Sequence, residues 1–129
     1  MGAIRSYRDL IAWQKGMQAA AGAYRWAAAL PAYERYALAR QARRCSTSVP
    51  LNIAEGYGTG TTRQFLRHLR TARGSLCELE TALELGRILH QVQPAPELLT
   101  HVAETGRVLQ GLIESLERKD SGASDGDAE

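Results

Sequence analysis

Cysteine is scarce in this chain: Cys45 and Cys77 are the only two in 129 residues. Two thiols are too few for a disulfide scaffold and lack metal-ligand spacing, so the sequence points to a reducing compartment. Long apolar runs are missing too. The longest uncharged stretch in the first third, Gly16 to Tyr24, is rich in alanine and glycine and about half the length a bilayer needs. No apolar segment follows the charge in Met1-Gly-Ala-Ile-Arg5, which argues against a secretory signal and makes the cytoplasm the expectation. What is present is ordinary for a soluble globular protein, with 44% hydrophobic and 23% charged residues at a single-domain length. A chain of this size buries roughly two-thirds of its unfolded surface, enough for a core without metal or disulfides.

Acidic residues are few in the first part of the chain. Residues 1–73 carry twelve Arg and Lys against Asp9, Glu34 and Glu55, a balance of +9, whereas the remainder carries −7. Fourteen of the sixteen basic residues are Arg, whose planar guanidinium forks onto phosphate or carboxylate. Two readings follow: an electrostatic footprint for nucleic acid, or a basic half that meets the acidic half across helices and between subunits.

Helical periodicity runs through the chain. Leu10, Trp13, Met17, Ala20, Tyr24 and Ala27 step by three and four, with Ser6 and Asp9 resembling a capping box before them and Pro31 after. Leu38, Ala42, Cys45, Val49 and Ile53 predict a second helix from about Tyr33 to Ala54. Pro50 should kink it, with Ser46, Thr47 and Ser48 available for the freed carbonyls. Glu55 to Thr62 has three glycines and no periodicity and reads as a connection. Phe65, Leu69, Ala72, Leu76, Leu79, Leu83 and Gly86 form the most regular stripe, a third helix from Thr62 to His90. After Pro94 and Pro96, the residues Leu99, Val102, Gly106, Leu109, Ile113 and Leu116 give a fourth. The expected fold is all-α: an antiparallel up-down-up-down four-helix bundle over residues 1–118, with a disordered acidic tail over 119–129. Trp26, Tyr33, Tyr36 and Tyr57 lie off the main stripes, where amphipathic aromatics often serve an interface.

Catalytic inventory is poor. The Glu-x-x-His pairs of di-iron bundles are missing, with Glu97 and His101 one residue too far apart. His68, His90 and His101 share no i,i+4 pair and read as surface or rim residues rather than ligands. Cys45 and Cys77 sit on apolar stripes and read as inert core thiols. Gly56-Tyr-Gly-Thr-Gly60 looks like a phosphate cradle, yet no Gly-Lys-Ser/Thr follows and no strand precedes, so a helix-to-helix turn is favoured. No enzyme and no cofactor or metal is expected. A metal-dependent hydrolase is a distant third option.

The arginines say more. Arg63, Arg67 and Arg70 fall within about 60° of one another on the helical wheel, opposite Phe65, Leu69 and Ala72. Arg40 and Arg44 lie one turn apart with Arg43 beside them, and only Glu55 interrupts the span from Arg35 to Arg73, which carries a net +7. A solvated face would intersperse Glu or Asp at i±4. That alternation is missing, which places phosphate-backbone contact by Arg40, Arg43, Arg63, Arg67, Arg70 and Arg73 slightly ahead, with no element that would read bases.

A wider pattern is then visible: Tyr7-Arg-Asp-Leu-Ile-Ala-Trp-Gln-Lys15, Gln41-Ala-Arg-Arg44, Ser48-Val-Pro-Leu-Asn-Ile-Ala-Glu-Gly56 and Ala72-Arg-Gly-Ser-Leu-Cys-Glu-Leu-Glu80. Over residues 7–116 this resembles the four helix bundle protein family. That family includes proteins encoded in intervening sequences of bacterial large-subunit ribosomal RNA genes, and accessory variability proteins of diversity-generating retroelements. The resemblance implies a non-enzymatic protomer assembling into a homopentamer and, in the retroelement branch, binding to nucleic acid and a reverse transcriptase. Where members often carry several basic residues after the Glu-Gly-Tyr-Gly segment, this chain has Thr59-Gly-Thr-Thr62 and then only Arg63, which weakens the nucleic-acid implication. The motif residues Arg44, Ser48, Pro50, Asn52, Glu55, Gly56 and Glu78 also have a structural explanation, as groups binding each other at a kink and a helix crossing. That explanation is favoured for Asn52 and Glu55, while Arg73 lies between the exposed stripe and the core face. The leading expectation is a non-catalytic, oligomeric bundle that associates with RNA or DNA independently of sequence. The alternative is a protein-interaction scaffold or accessory subunit, for example for a reverse transcriptase, with no direct nucleic-acid contact.

Overall fold

The structure, a computed structural model, describes residues 3–128, with side chains described as far as Gly122. It is an up-down four-helix bundle of α1 (Ile11–Ala28), α2 (Leu38–Gly58), α3 (Thr62–His90) and α4 (Pro96–Ala128). α1 and α3 each pack against both α2 and α4. Lys119 to Gly122 continue α4, and the rest of the expected acidic tail lies outside the described side chains. Among the described residues no helix is long and apolar enough to cross a membrane.

The helix ends differ from expectation in instructive ways. The Ser6–Asp9 capping box is present, but it closes a separate 3-10 turn, Tyr7–Asp9. Leu10 is extended at ψ 124° and buried, so the chain turns inward before α1 begins without a side-chain cap. α2 starts at Leu38 rather than near Tyr33, because Ala32–Glu34 form another 3-10 turn and Ala37 leaves helical geometry. Ala37 gives no side-chain cap, and Glu34, four residues before Leu38, accepts the Leu38 N–H on Oε1 at 3.2 Å. α2 also runs to Gly58, absorbing half of the glycine-rich segment expected to be a loop. Only Thr59 to Thr61 connect it to α3, with Gly60 at φ 81° and the Thr61 side chain capping Gln64. Pro96 opens α4 at a helix start, where the missing N–H costs nothing.

The α3 stripe packs as its spacing predicts, with Leu69, Ala72, Leu76, Leu79, Leu83 and Gly86 buried and Phe65 half-buried. The α1 stripe does so only in part, with Leu10, Ala20 and Ala27 buried and Trp13 half-buried. Met17 and Tyr24 are exposed, and the buried face is Ala12, Gly16, Ala19, Ala20, Ala23, Trp26 and Ala27. Small side chains let α1 approach closely: a Cβ on Gly16 would already touch Val49 of α2 at 3.4 Å. Trp26, expected outside the core, is instead 5% exposed and donates its Nε1–H to the Val92 carbonyl at 3.1 Å. Its ring lies on Gly86 of α3, whose missing side chain makes room for it. In the first turn of α4 the inward leucine is Leu98, not Leu99, while Val102, Leu109 and Ile113 are buried as the spacing predicts.

Pro50 lies buried inside α2. The Ser46 and Thr47 hydroxyls donate to carbonyls of Arg43 and Arg44, a turn upstream of the Ser46 carbonyl that the proline deprives of its usual donor. Asn52, rather than these hydroxyls, serves the next part of the turn by donating to the Ser48 carbonyl at 2.9 Å.

Candidate nucleic-acid interface

α3 presents Arg63, Arg67 and Arg70 on its outer side, all exposed, because the stripe opposite them is occupied by the core. Arg70 forms an ion pair with Glu117 of α4 at 2.9 Å, and Arg73 donates to Gln110 of α4 at 3.0 Å. Among the described residues Arg63 and Arg67 make no side-chain hydrogen bond or ion pair, nor does Arg40. Arg43 is half-buried and turns back onto the Arg35 carbonyl at 3.1 Å.

The arginines do not form one patch. α2 and α3 run antiparallel, with Gln41 bonded to Glu78, Ser48 to Ser75 and Asn52 to His68. Arg40 and Arg43 are therefore level with Glu78, roughly 16 Å along α3 from Arg67 at 1.5 Å per residue. The α3 stripe is the compact basic surface, and the α2 arginines belong to the opposite half of the bundle.

The motif residues divide as well. Asn52 is the hub of a polar cluster at the α2–α3 crossing: it donates to the Ser48 carbonyl and hydroxyl, and its Oδ1 lies 3.1 Å from His68 Nδ1. Ser48 in turn shares a 2.7 Å bond with Ser75. Gly56 lets α3 come close, since a Cβ there would stand 2.6 Å from His68 Cβ. Glu55 is exposed and 4.0 Å from His68, Glu78 is exposed and accepts from Gln41, and Arg44 is exposed without a partner among the described residues. The motif is thus not one mutually bonded network. Sequence reasoning missed His68 and Ser75 as members of the cluster, although their seven-residue spacing puts them on one helix face.

The thiols and histidines are also distributed. Cys45 is buried and desolvation pushes its pKa up to about 11, which suits an inert thiol. Cys77, expected in the core, is exposed because α3 turns it outward beside the stripe. His101 is half-buried with Nδ1 enclosed and unpartnered. Among the described residues no three His, Cys, Asp or Glu side chains group as metal ligands.

His90 was expected at the rim, but its side chain is only 9% exposed. Its Nε2 lies 2.7 Å from Glu34 Oε2, while Nδ1 lies 3.3 Å from the Tyr33 hydroxyl. The His90 bond, then the Leu38 N–H, holds the Glu34 carboxyl below its ordinary pKa. A carboxylate with a depressed pKa stabilises the fold above its unfolded pKa and loses that contribution as pH falls through the folded value. Glu34→Gln should accordingly lower Tm at neutral pH. The gap to wild type should close in acid, below the range where Glu34 is ionised. Thermal melts of both proteins across that range check this, and a gap independent of pH would refute it.

Residues 8–111 match the sequence model of the 23S rRNA-intervening sequence protein family, a span that takes in α1, α2, α3 and the first half of α4. The chain belongs to that family. No match is found among curated proteins. In this member of the 23S rRNA-intervening sequence protein family, the matched span contains both the Asn52 cluster and the α3 arginine stripe, whereas Glu117, the partner of Arg70, lies beyond it.

Proposed function

We infer that the protein is a non-catalytic, oligomeric bundle, a homopentamer, that associates with RNA or DNA through its arginines without reading sequence. The observation that carries this is the outward row of Arg63, Arg67 and Arg70, in which the first two have no acidic partner among the described residues. Unpaired guanidinium groups one helical turn apart suit successive phosphates, and phosphate contacts position a nucleic acid without specifying its bases. The family takes its name from sequences that intervene in 23S rRNA, so RNA is the first probe. Arg70 and Arg73 would contribute by exchanging their α4 partners for phosphate, and Arg40 and Arg43 by extending the field along α2. Repetition of the stripe around an oligomer sums weak contacts into avidity where one strand spans several copies. The embedded histidines and the inert Cys45 thiol support a binding role over a catalytic one.

Reversing Arg63 and Arg67 to Glu should weaken binding of single-stranded RNA and DNA about equally, by more than tenfold at low salt, while leaving Tm nearly unchanged. Wild-type affinity should fall steeply with salt as counterions are released. Binding indifferent to both salt and reversal would discard this reading. A scaffold or accessory role, for instance beside a reverse transcriptase, is the second reading, supported by an apolar groove between α1 and α2.

A further inference from the structure

Of the four aromatics that lie off the helical stripes, Trp26 is buried and Tyr57 is half-buried, edge-to-face against Phe65. Tyr33 and Tyr36 stay on the surface, 75% and 74% exposed, more than any other large apolar or aromatic side chain among the described residues. Both sit in the connection between α1 and α2, and that connection is pinned. Backbone bonds from Glu34 to Pro31, Arg35 to Ala32 and Ala37 to Glu34 hold the turn, and the Arg43 guanidinium ties down the Arg35 carbonyl. The Tyr33 ring meets the His90 ring edge-to-face at 5.6 Å, with its hydroxyl 3.3 Å from His90 Nδ1, so the phenol is positioned while most of its surface faces water. The Arg35 guanidinium lies over the Tyr36 ring, 5.3 Å from its centroid. Charge beside the rings is mostly positive. Between Pro31 and Ala54 the chain carries Arg35, Arg40, Arg43 and Arg44 against Glu34 alone. Glu34 spends its two oxygens on the Leu38 N–H and His90. Glu78 of α3, level with Arg40, accepts from Gln41, and Glu80 and Glu84 flank the α4 side of α3, where Arg87 pairs with Glu84.

We propose that Tyr33 and Tyr36 form a stacking platform for unpaired nucleobases, with Arg35, Arg40 and Arg44 holding phosphates of the same strand. This rests on the nucleic-acid part of the reading above and specifies the strand as single, because a duplex keeps its base faces stacked on one another. Every base has a π-face, so stacking adds affinity without reading sequence. An arginine laid on an aromatic ring adds a cation to the same surface. The pinned turn loses little freedom when a base lands on it, so less of the stacking energy is spent on ordering. Tyr33 adjoins His90, which stands roughly 35 Å along α3 from Arg67 at 1.5 Å per residue. The platform is therefore a second contact, separate from the α3 stripe.

The test compares an oligothymidylate of about twenty nucleotides with an abasic chain of the same length, which keeps the phosphates and lacks the bases. Wild type should bind the thymidylate more tightly at low salt. Tyr33→Ala combined with Tyr36→Ala should weaken thymidylate binding roughly tenfold and leave binding of the abasic chain and of a duplex unchanged. Tyr36→Ala alone, at a side chain with no hydrogen bond among the described residues, should show part of the same loss. Tyr33→Phe with Tyr36→Phe should keep the preference, because the rings and not the hydroxyls carry the contact. Circular dichroism and light scattering of the alanine variants should match wild type. Salt-sensitive binding without a preference for the thymidylate, a preference that survives the alanine changes, or its loss in the phenylalanine variant would overturn the platform and leave the arginine reading standing. Alanine variants that weaken both chains alike, or that change the mass of the protein, would also overturn it, the latter by assigning the tyrosines to a protein contact. A wild type that binds neither chain would overturn the nucleic-acid reading and the platform together.

Discussion

Gly86→Ala is expected to lower Tm, although the same substitution elsewhere on α3 raises it. Alanine is favoured over glycine in a helix interior by about 1 kcal/mol, so an open site gains from the change. Gly74 is such a site, with nothing within 4 Å of its would-be Cβ. At Gly86 the added atom would stand 2.2 Å from Trp26 Cζ2 and 2.5 Å from Cη2. The indole cannot easily yield, because it is buried and its Nε1–H is fixed on the Val92 carbonyl. Helix separation or an off-rotamer indole must follow, and overpacking of this kind costs roughly 1–3 kcal/mol. Adding Trp26→Leu should make the alanine tolerable, so that the two changes are far from additive. Equal stabilisation by Gly74→Ala and Gly86→Ala in thermal melts would show that the indole is not held where the structure puts it.

Asn52→Leu should be the second large loss. The leucine would remove the side-chain amide's bonds to the Ser48 carbonyl and hydroxyl and leave His68 Nδ1 without its 3.1 Å partner. A buried polar group deprived of its partner costs about 1–3 kcal/mol, and this half-buried cluster should fall toward the lower end. At this chain length each kcal/mol corresponds to roughly 3–6 °C in Tm. Ser75→Ala, which removes a single 2.7 Å contact to Ser48, should cost less than Asn52→Leu. Chemical denaturation of the two variants checks the order, and an unchanged midpoint for Asn52→Leu would mean that the cluster contributes no stability.

How much of this was legible in the sequence depended on residue size. The α3 face could be read because Leu69, Leu76, Leu79 and Leu83 are large, and their spacing leaves one stripe. On α1 the large residues mislead. Met17 and Tyr24 dominate the pattern while the buried face is made of Ala12, Gly16, Ala19 and Ala23, whose weak hydrophobicity hides the closeness of packing they permit. Trp26 was misplaced for the same reason, since its niche is the absence of a side chain on Gly86, far away in sequence. The arginine spacing was readable, but the α4 partners of Arg70 and Arg73 were not, because the register of one helix against another depends on loop geometry and packing. The Asn52 motif signalled a polar junction; His68 and Ser75 became identifiable only when α3 was laid against α2.

Glu34 uses its two carboxylate oxygens on different parts of the molecule, one on the first turn of α2 and the other on the last turn of α3. The opening turn of α2 and the closing turn of α3 therefore share an anchor, and neither can fray alone without unbinding it. Helix ends are ordinarily the least protected parts of a fold, exchanging their amide hydrogens through local openings that leave the rest intact. Here the two ends become one cooperative unit. The amide of Leu38 should exchange in step with the backbone around His90, although more than fifty residues separate them in the chain.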